Sequence, residues 1–240
     1  GCDPFHTEFD AVEDAVLYRA ASPVAAPGPS AGVPLQVMTW NVKFGGGRVD
    51  FFFDCHGDAS LMTEAQVLTH LEGLAAKIRQ VNPDVLLLQE VDVLSKRSAY
   101  VDMVQYLLDH TDLSWGAYAS QWRADYVPQA GIGRVDSGNV VLSRWPIAEA
   151  TRLALPLIAE DDALTRYFWL KRNVLRTRIE IPGVGPLWAV NVHTAAFSKD
   201  GTKKKHIDRF KAVLDDLNAK GAWVVGGGDL NAIPPGSERF

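Results

Sequence analysis

Asp84-Val85-Leu86-Leu87-Leu88-Gln89-Glu90-Val91 sets four aliphatic residues directly before an amide and a carboxylate. A run with no polar residue on either alternating set suits a strand buried on both faces. Such a strand needs cover on each side, which points to a layered α/β architecture. An ionised carboxylate at its end costs several kcal/mol unless it is paired or bound to a metal. Glu90 therefore calls for companions.

The flanking sequence supplies the layers. Thr63 with Gln66 forms a capping box, and Val67, Leu71, Leu74, Ile78 and Val81 fall on one stripe, so a helix is predicted there. Asn82-Pro83-Asp84 stops it. Upstream, residues 35–42 (LQVMTWNV) alternate as a strand and end at Gly45-Gly46-Gly47. Downstream, a helix is predicted over residues 100–110, and strands over 137–147, 173–181, 187–195 and 222–228. Ile181-Pro182-Gly183 makes the middle two a hairpin. A helix from about residue 203 to 219 turns Ile207, Phe210, Val213, Leu214 and Leu217 inward. Strand–helix alternation early and hairpins later predict two packed sheets with helices outside. Residues 1–34, rich in Ala, Pro, Gly and Ser, are expected to form an extended tether, with one folded domain over 35–240.

The chain has 240 residues, 47% hydrophobic and 22% charged, with a net charge of −5, so a core is affordable and no global basic field advertises a nonspecific grip on nucleic acid. No apolar stretch reaches the roughly 18 residues that span a bilayer. Gly1-Cys2 resembles the processing site of bacterial lipoproteins, so a secreted or lipid-anchored surface location is expected ahead of a cytoplasmic one. Cys2 and Cys55 are the two cysteines; their spacing suggests no zinc site, and a disulfide between them is left open.

Asn41, Gln89, Glu90, His193, Asp229 and Asn231 all stand at or just beyond the ends of apolar strands. Alone, Asn41 reads as a turn cap, Glu90 as an ion pair with Lys43 or Arg97, and His193 as a satisfied structural group. Asp229 and Asn231 alone read as turn formers before Pro234-Pro235. Together they favour one shared cleft. Carboxylate and amide oxygens suit a hard, hydrated divalent cation such as Mg²⁺, and an imidazole beside it suits contact with a phosphate oxygen. No phosphate-cradling Gly-Lys loop and no Gly-x-Ser-x-Gly elbow is present, which disfavours covalent serine hydrolysis. Asn139 is a further candidate for touching substrate, equally readable as an amide bonded to neighbouring backbone. Asp54, Cys55, His56 and Asp58 read as a polar loop, and Lys203-Lys204-Lys205-His206 as a solvated helix start. The aromatic stretch at residues 166–173 reads as packing or as a contact for a base or lipid.

TWNV, DVLLLQEVD, SGNVVLSRWPI, VNVHT and GGDLN, in this order from residue 39 to 231, resemble the endonuclease/exonuclease/phosphatase superfamily. The resemblance implies a deoxyribonuclease I-like fold, a four-layered α/β sandwich of two packed mixed sheets flanked by helices. It also implies a Mg²⁺ site, with Mn²⁺ as an alternative, in which Glu90 is the direct ligand and Asn41 a companion. His193 would bind or protonate phosphate, Asp229 would orient or deprotonate water, and Asn231 would donate a hydrogen bond to the phosphate. The implied activity is metal-dependent phosphoester hydrolysis, phosphodiesterase or nuclease in type, by in-line attack of water. Phosphomonoesterase and sphingomyelinase-like phospholipid hydrolysis are the alternatives, and a noncatalytic module holding a phosphate ligand or a protein is an alternative of another class. The implied partner is a phosphoester substrate (nucleic acid, phospholipid or inositol phosphate), handled by a monomer. The family pattern also carries two further strands and an Asp-His pair beyond GDxN. Only nine residues follow Asn231 and none forms that pair, so the chain is expected to be C-terminally incomplete, or weakly active to inactive if it stops at Phe240.

Overall fold

In the computed structural model, which describes residues 8–52, 54, 57–158, 170–196, 198, 200–233 and 236, the apolar run becomes β4 (Val85–Asp92). Leu86 and Leu88 face a helical layer, whereas Val85 and Leu87 face a second sheet. Both alternating sets are thus covered by apolar neighbours, as a continuous apolar run requires.

Two sheets share one plan. The first is ordered β2 (Val16–Arg19), β5 (Trp115–Val127), β6 (Gly133–Ser143), β4 and β3 (Val37–Asn41). The second is ordered β1 (Val12–Asp14), β7 (Ile147–Ala154), β8 (Asn173–Ile181), β9 (Gly185–His193) and β10 (Trp223–Asp229). Each begins at a short N-terminal strand and ends in a parallel pair, β3/β4 or β9/β10, with antiparallel pairing between. A parallel pair needs a crossover, and helices supply it. α1 (Glu64–Val81) joins β3 to β4, and α3 (Thr202–Ala219) joins β9 to β10. α2 (Met103–Asp109) packs beside α1 on the first sheet, α3 covers the second, and the sheets face each other across a core of Val85, Leu87, Val141, Leu175 and Ile179. The result is the four-layered sandwich expected of the sequence.

Local signals explain where α1 begins and ends. Thr63 and Gln66 form the reciprocal capping box, and Asn82 takes the left-handed conformation at the C-cap. Val67, Leu71, Ala75 and Ile78 are buried, with Leu74 and Val81 at the margin. The hairpin of β8 and β9 forms as expected.

Three features depart from the sequence reading. Residues 12–19, inside the expected tether, form β1 and β2 and pair with β7 and β5. β5 itself had no counterpart among the expected strands. Residues 137–147 are not one strand: β6 stops at Ser143, and Trp145 turns into the inter-sheet core before β7 starts. Cys2, Cys55, His56 and residues 166–169 lie outside the described residues.

Candidate active site

Because both crossovers return their strands in the same direction, each parallel pair delivers its C-terminal ends together. Asn41 and His193 close β3 and β9, Asp229 closes β10, and Glu90 lies near the end of β4. His193 and Asp229 are register partners. The Asn41 amide nitrogen spans the two sheets, donating to Glu90 Oε1 at 2.9 Å and to Asp229 Oδ2 at 3.0 Å. His193 Nε2 faces the same two oxygens at 3.8 and 3.7 Å. Four of the five principal residues expected from the sequence therefore meet at one point.

Local backbone aims them. Glu90 has φ of 57°, and the ladder between β4 and β6 shifts register between Leu88 and Val91. A bulge of this kind re-aims a side chain next to a site, at a cost in strain. Gln89 then turns between the sheets, donating to Asn191 Oδ1 at 2.7 Å, while the Asn191 amide donates to the carbonyls of Leu88 and Val140 at 2.7 and 2.8 Å. Asn231 follows Asp229 with φ of 47°; its backbone N–H donates to Asp229 Oδ1 at 2.9 Å and its amide to the Thr194 carbonyl at 3.0 Å. Lys203 Nζ donates to the Asn231 carbonyl at 2.7 Å. The loop carrying Asn231 is thereby fixed from three sides.

Burial, reinforced by the Arg172 guanidinium and only partly opposed by Asp229, lowers the His193 pKa to about 3. The imidazole is neutral at pH 7. Its Nδ1 is buried with no partner among the described residues, so the proton sits most favourably on Nε2, toward the carboxylates. Burial alone would raise the Asp229 pKa, but the hydrogen bonds from Asn41 and from the Asn231 backbone outweigh it and hold the group ionised. Burial lowers the Arg172 pKa to about 10 against the pull of Glu90 and Asp229, which leaves a cation at neutral pH. Its Nη1 donates to the His193 carbonyl at 3.4 Å.

The donor set fits a hydrated Mg²⁺. Two carboxylates on one amide bring like charges together, an arrangement that a divalent cation relieves. Among the described residues no group of three or more His, Cys, Asp and Glu is gathered to hold an ion unaided. Mg²⁺ requires none, since it binds through one or two carboxylates and keeps several waters.

The remaining candidates resolve separately. Lys43 pairs with Asp54 and Arg97 with Asp92, so neither neutralises Glu90. Asn139 is fully buried and not among the residues lining the adjoining cleft; its amide donates to Asn173, beside the lining Arg172, and its Oδ1 has no partner among the described residues. Lys203 and His206 are not a solvated helix start: His206 is buried, bonded to the Pro156 carbonyl and the Ala195 N–H. Sequence reasoning missed Arg172 and Asn191. An arginine directly before the apolar start of β8, and an asparagine inside the apolar β9, were the available signals.

A cleft of about 500 Å³ opens from Glu90, Arg172 and His193 and runs along β5 and β6. Two sheets packed face to face, each closed by a parallel pair and covered by helices, define the deoxyribonuclease I-like class of α/β sandwiches. The model of the Endonuclease/Exonuclease/phosphatase family matches residues 38–240, and the chain belongs to that family. An endonuclease/exonuclease/phosphatase from Beutenbergia cavernae DSM 12333 is similar in structure, with a TM-score of 0.56 and 23% identity over 85% of this chain and 50% of that one. A functionally unknown conserved protein from Enterococcus faecalis V583 gives a TM-score of 0.55 at 18% identity, covering 84% of this chain and 68% of that one. ANGEL2, described as a 2′,3′-cyclic phosphatase, gives 0.54 at 13% identity over 93% of this chain and 57% of that one. Identities this low establish a shared fold. The chain spans about half the length of the Beutenbergia structure. A search of curated proteins returns no match.

Proposed function

We propose that the strand-end cluster is the centre of a Mg²⁺-dependent phosphoester hydrolase, phosphodiesterase in type, in which water attacks phosphorus in line. The observation that carries this reading is the Asn41 amide bridging Glu90 and Asp229 with His193 Nε2 3.8 and 3.7 Å from the same oxygens. When bound, the cation supplies charge neutralisation at the phosphoryl and leaving oxygens. Glu90 would hold it directly, and Asn41, whose amide donates to Glu90 Oε1 while its own Oδ1 accepts the Lys43 N–H, would fix that carboxylate in place. His193, neutral with its proton on Nε2, donates a hydrogen bond to a phosphoryl oxygen and is not a proton source at pH 7. Asp229, held ionised, orients the attacking water, and Asn231, with one amide hydrogen on the Thr194 carbonyl, keeps the other for the phosphate. Arg172 sets a fixed positive charge behind the imidazole. Membership of the Endonuclease/Exonuclease/phosphatase family supports the reaction class, and the adjoining cleft gives room for a second ester arm.

Hydrolysis of a generic phosphodiester, followed with Mg²⁺ and after chelation, tests the reading. Turnover should depend on the cation, and Glu90→Gln should lower it roughly 100-fold or more at an unchanged urea midpoint. Metal-independent turnover, or a fully active Glu90→Gln protein, would overturn it.

A further inference from the structure

The cleft shares Glu90, Arg172 and His193 with the candidate centre, but its far wall is of another kind: Phe44, Phe52, Trp122, Val127, Ile132 and Leu170. At about 500 Å³ it exceeds several times the roughly 150 Å³ that encloses one benzene ring. The wall is held in order by Arg97, which itself lines the cleft. Arg97 grips the buried Asp92 through two hydrogen bonds of 2.8 and 2.7 Å, and its guanidinium lies 3.8 Å from the Phe44 ring centroid and 5.3 Å from that of Trp122. With its charge committed to Asp92, Arg97 offers little to a second phosphate. Besides His193 Nδ1 at the centre, one lining side-chain atom is buried without a partner among the described residues. Gln121 lines the same cleft at 1% exposure, and its Oε1 is buried with no partner among the described residues. A buried acceptor of this kind is stabilised by a donor that a ligand brings.

From these observations we infer that the cleft is a subsite for a planar aromatic ring bearing an N–H donor, a nucleobase in kind, attached to the phosphoester. The ring stacks against Trp122 and its N–H donates to Gln121 Oε1. The inference rests on the hydrolase reading for the placement of the phosphate. An acyl chain would fill the apolar wall but leave Gln121 unsatisfied. A phosphorylated cyclitol would set hydroxyls and further anions against aromatic side chains.

Calorimetric titration of the 240-residue chain in Mg²⁺ separates these ligands, with ligand integrity checked after each run. Thymidine 5′-monophosphate should bind at least about tenfold more tightly than methyl phosphate, hexyl phosphate or inositol 1-phosphate. Trp122→Ala should cut the ratio of thymidine monophosphate to methyl phosphate affinity by roughly 5- to 100-fold, and Trp122→Phe should keep most of it. Gln121→Leu and N3-methylation of the thymine should each cut that ratio by roughly fivefold or more, and together no further than either alone. Equal affinities, a preference for hexyl phosphate, absence of binding, or a Gln121→Leu protein that still discriminates would each overturn the subsite. Selective binding without any turnover would leave the subsite standing and sink the hydrolase reading; unselective turnover would do the reverse.

Discussion

Three glycines stand in a row before Asp229, and each meets a different neighbour. A Cβ added at Gly226 would lie 2.8 Å from Leu214 Cδ2, and one at Gly227 would lie 3.0 Å from Leu87 Cδ1. Both contacts are with the ends of side chains that can turn aside. At Gly228 the added atom would fall 1.9 Å from the Val192 carbonyl oxygen, on a backbone with φ of +142°. Only separation of β10 from β9 would relieve that collision, one residue before His193 and Asp229 pair. Gly228→Ala is therefore expected to destabilise the fold by about 3 kcal/mol or more and to disperse the site, whereas Gly227→Ala costs about 1 kcal/mol. Urea unfolding followed by tryptophan fluorescence measures both; similar costs at the two positions would contradict the argument. The sequence signals a close approach here, but not which glycine is irreplaceable, because that depends on the register of two strands 36 residues apart in the chain.

Elements with local signals were legible and elements defined by distant partners were not. The capping box and stripe of α1 and the apolar run of β4 need nothing from elsewhere in the chain. β1 and β2, three and four residues long, exist through pairing with β7 and β5. β5 hides because its buried stretch mixes small and polar residues, Gly116, Ala117, Ala119, Ser120 and Gln121, with the large Tyr118 and Trp122, and so writes no alternating apolar pattern. The start of α3 misleads for a related reason: Lys203, Lys204 and Lys205 read as solvated, yet His206 beside them is buried against the loop that follows β9. His206 accepts the Ala195 N–H on Nδ1 and donates from Nε2 to the Pro156 carbonyl, a pattern only the neutral ring makes. Burial, with Arg172 adding, lowers its pKa below 6.5 against the Pro156 hydrogen bond. The unfolded chain takes up a proton there first, so stability is intact above about pH 6.5 and is lost as pH falls through the depressed folded value. Between pH 7.5 and 5 the wild-type protein should lose stability more steeply than His206→Leu, by up to about 1.4 kcal/mol per pH unit. Superimposable slopes in urea titrations would rule this out.

The molecule as a whole is two similar sheets whose parallel pairs must arrive at one rim in fixed relation, since the Asn41 amide reaches Asp229 across them at 3.0 Å. The apolar core between the sheets is non-directional and does not set that relation to a fraction of an ångström. Gln89 and Asn191 do: one amide on β4 and one on β9, each less than 2% exposed, bond to each other at 2.7 Å and to the carbonyls of Leu87, Leu88 and Val140. The strand-end pattern of carboxylates and amides was visible from the sequence, but this pair was not, because an amide inside an apolar strand shows its purpose only when its partner from the other sheet is known. Asn191→Leu leaves two carbonyls and the Gln89 amide short of partners and should cost about 2–4 kcal/mol. Gln89→Leu should cost about 1–3 kcal/mol, leaving the Asn191 Oδ1 unpaired. Once either amide is gone, part of the penalty of losing the other has already been incurred, so the double variant should fall short of additivity by about 1 kcal/mol or more. It should also be less active than its recovered stability implies, because apolar packing restores cohesion without restoring the register of Glu90 against Asp229. Strict additivity, or a stable double variant with wild-type turnover, would show that the sheets are aligned by something other than these two amides.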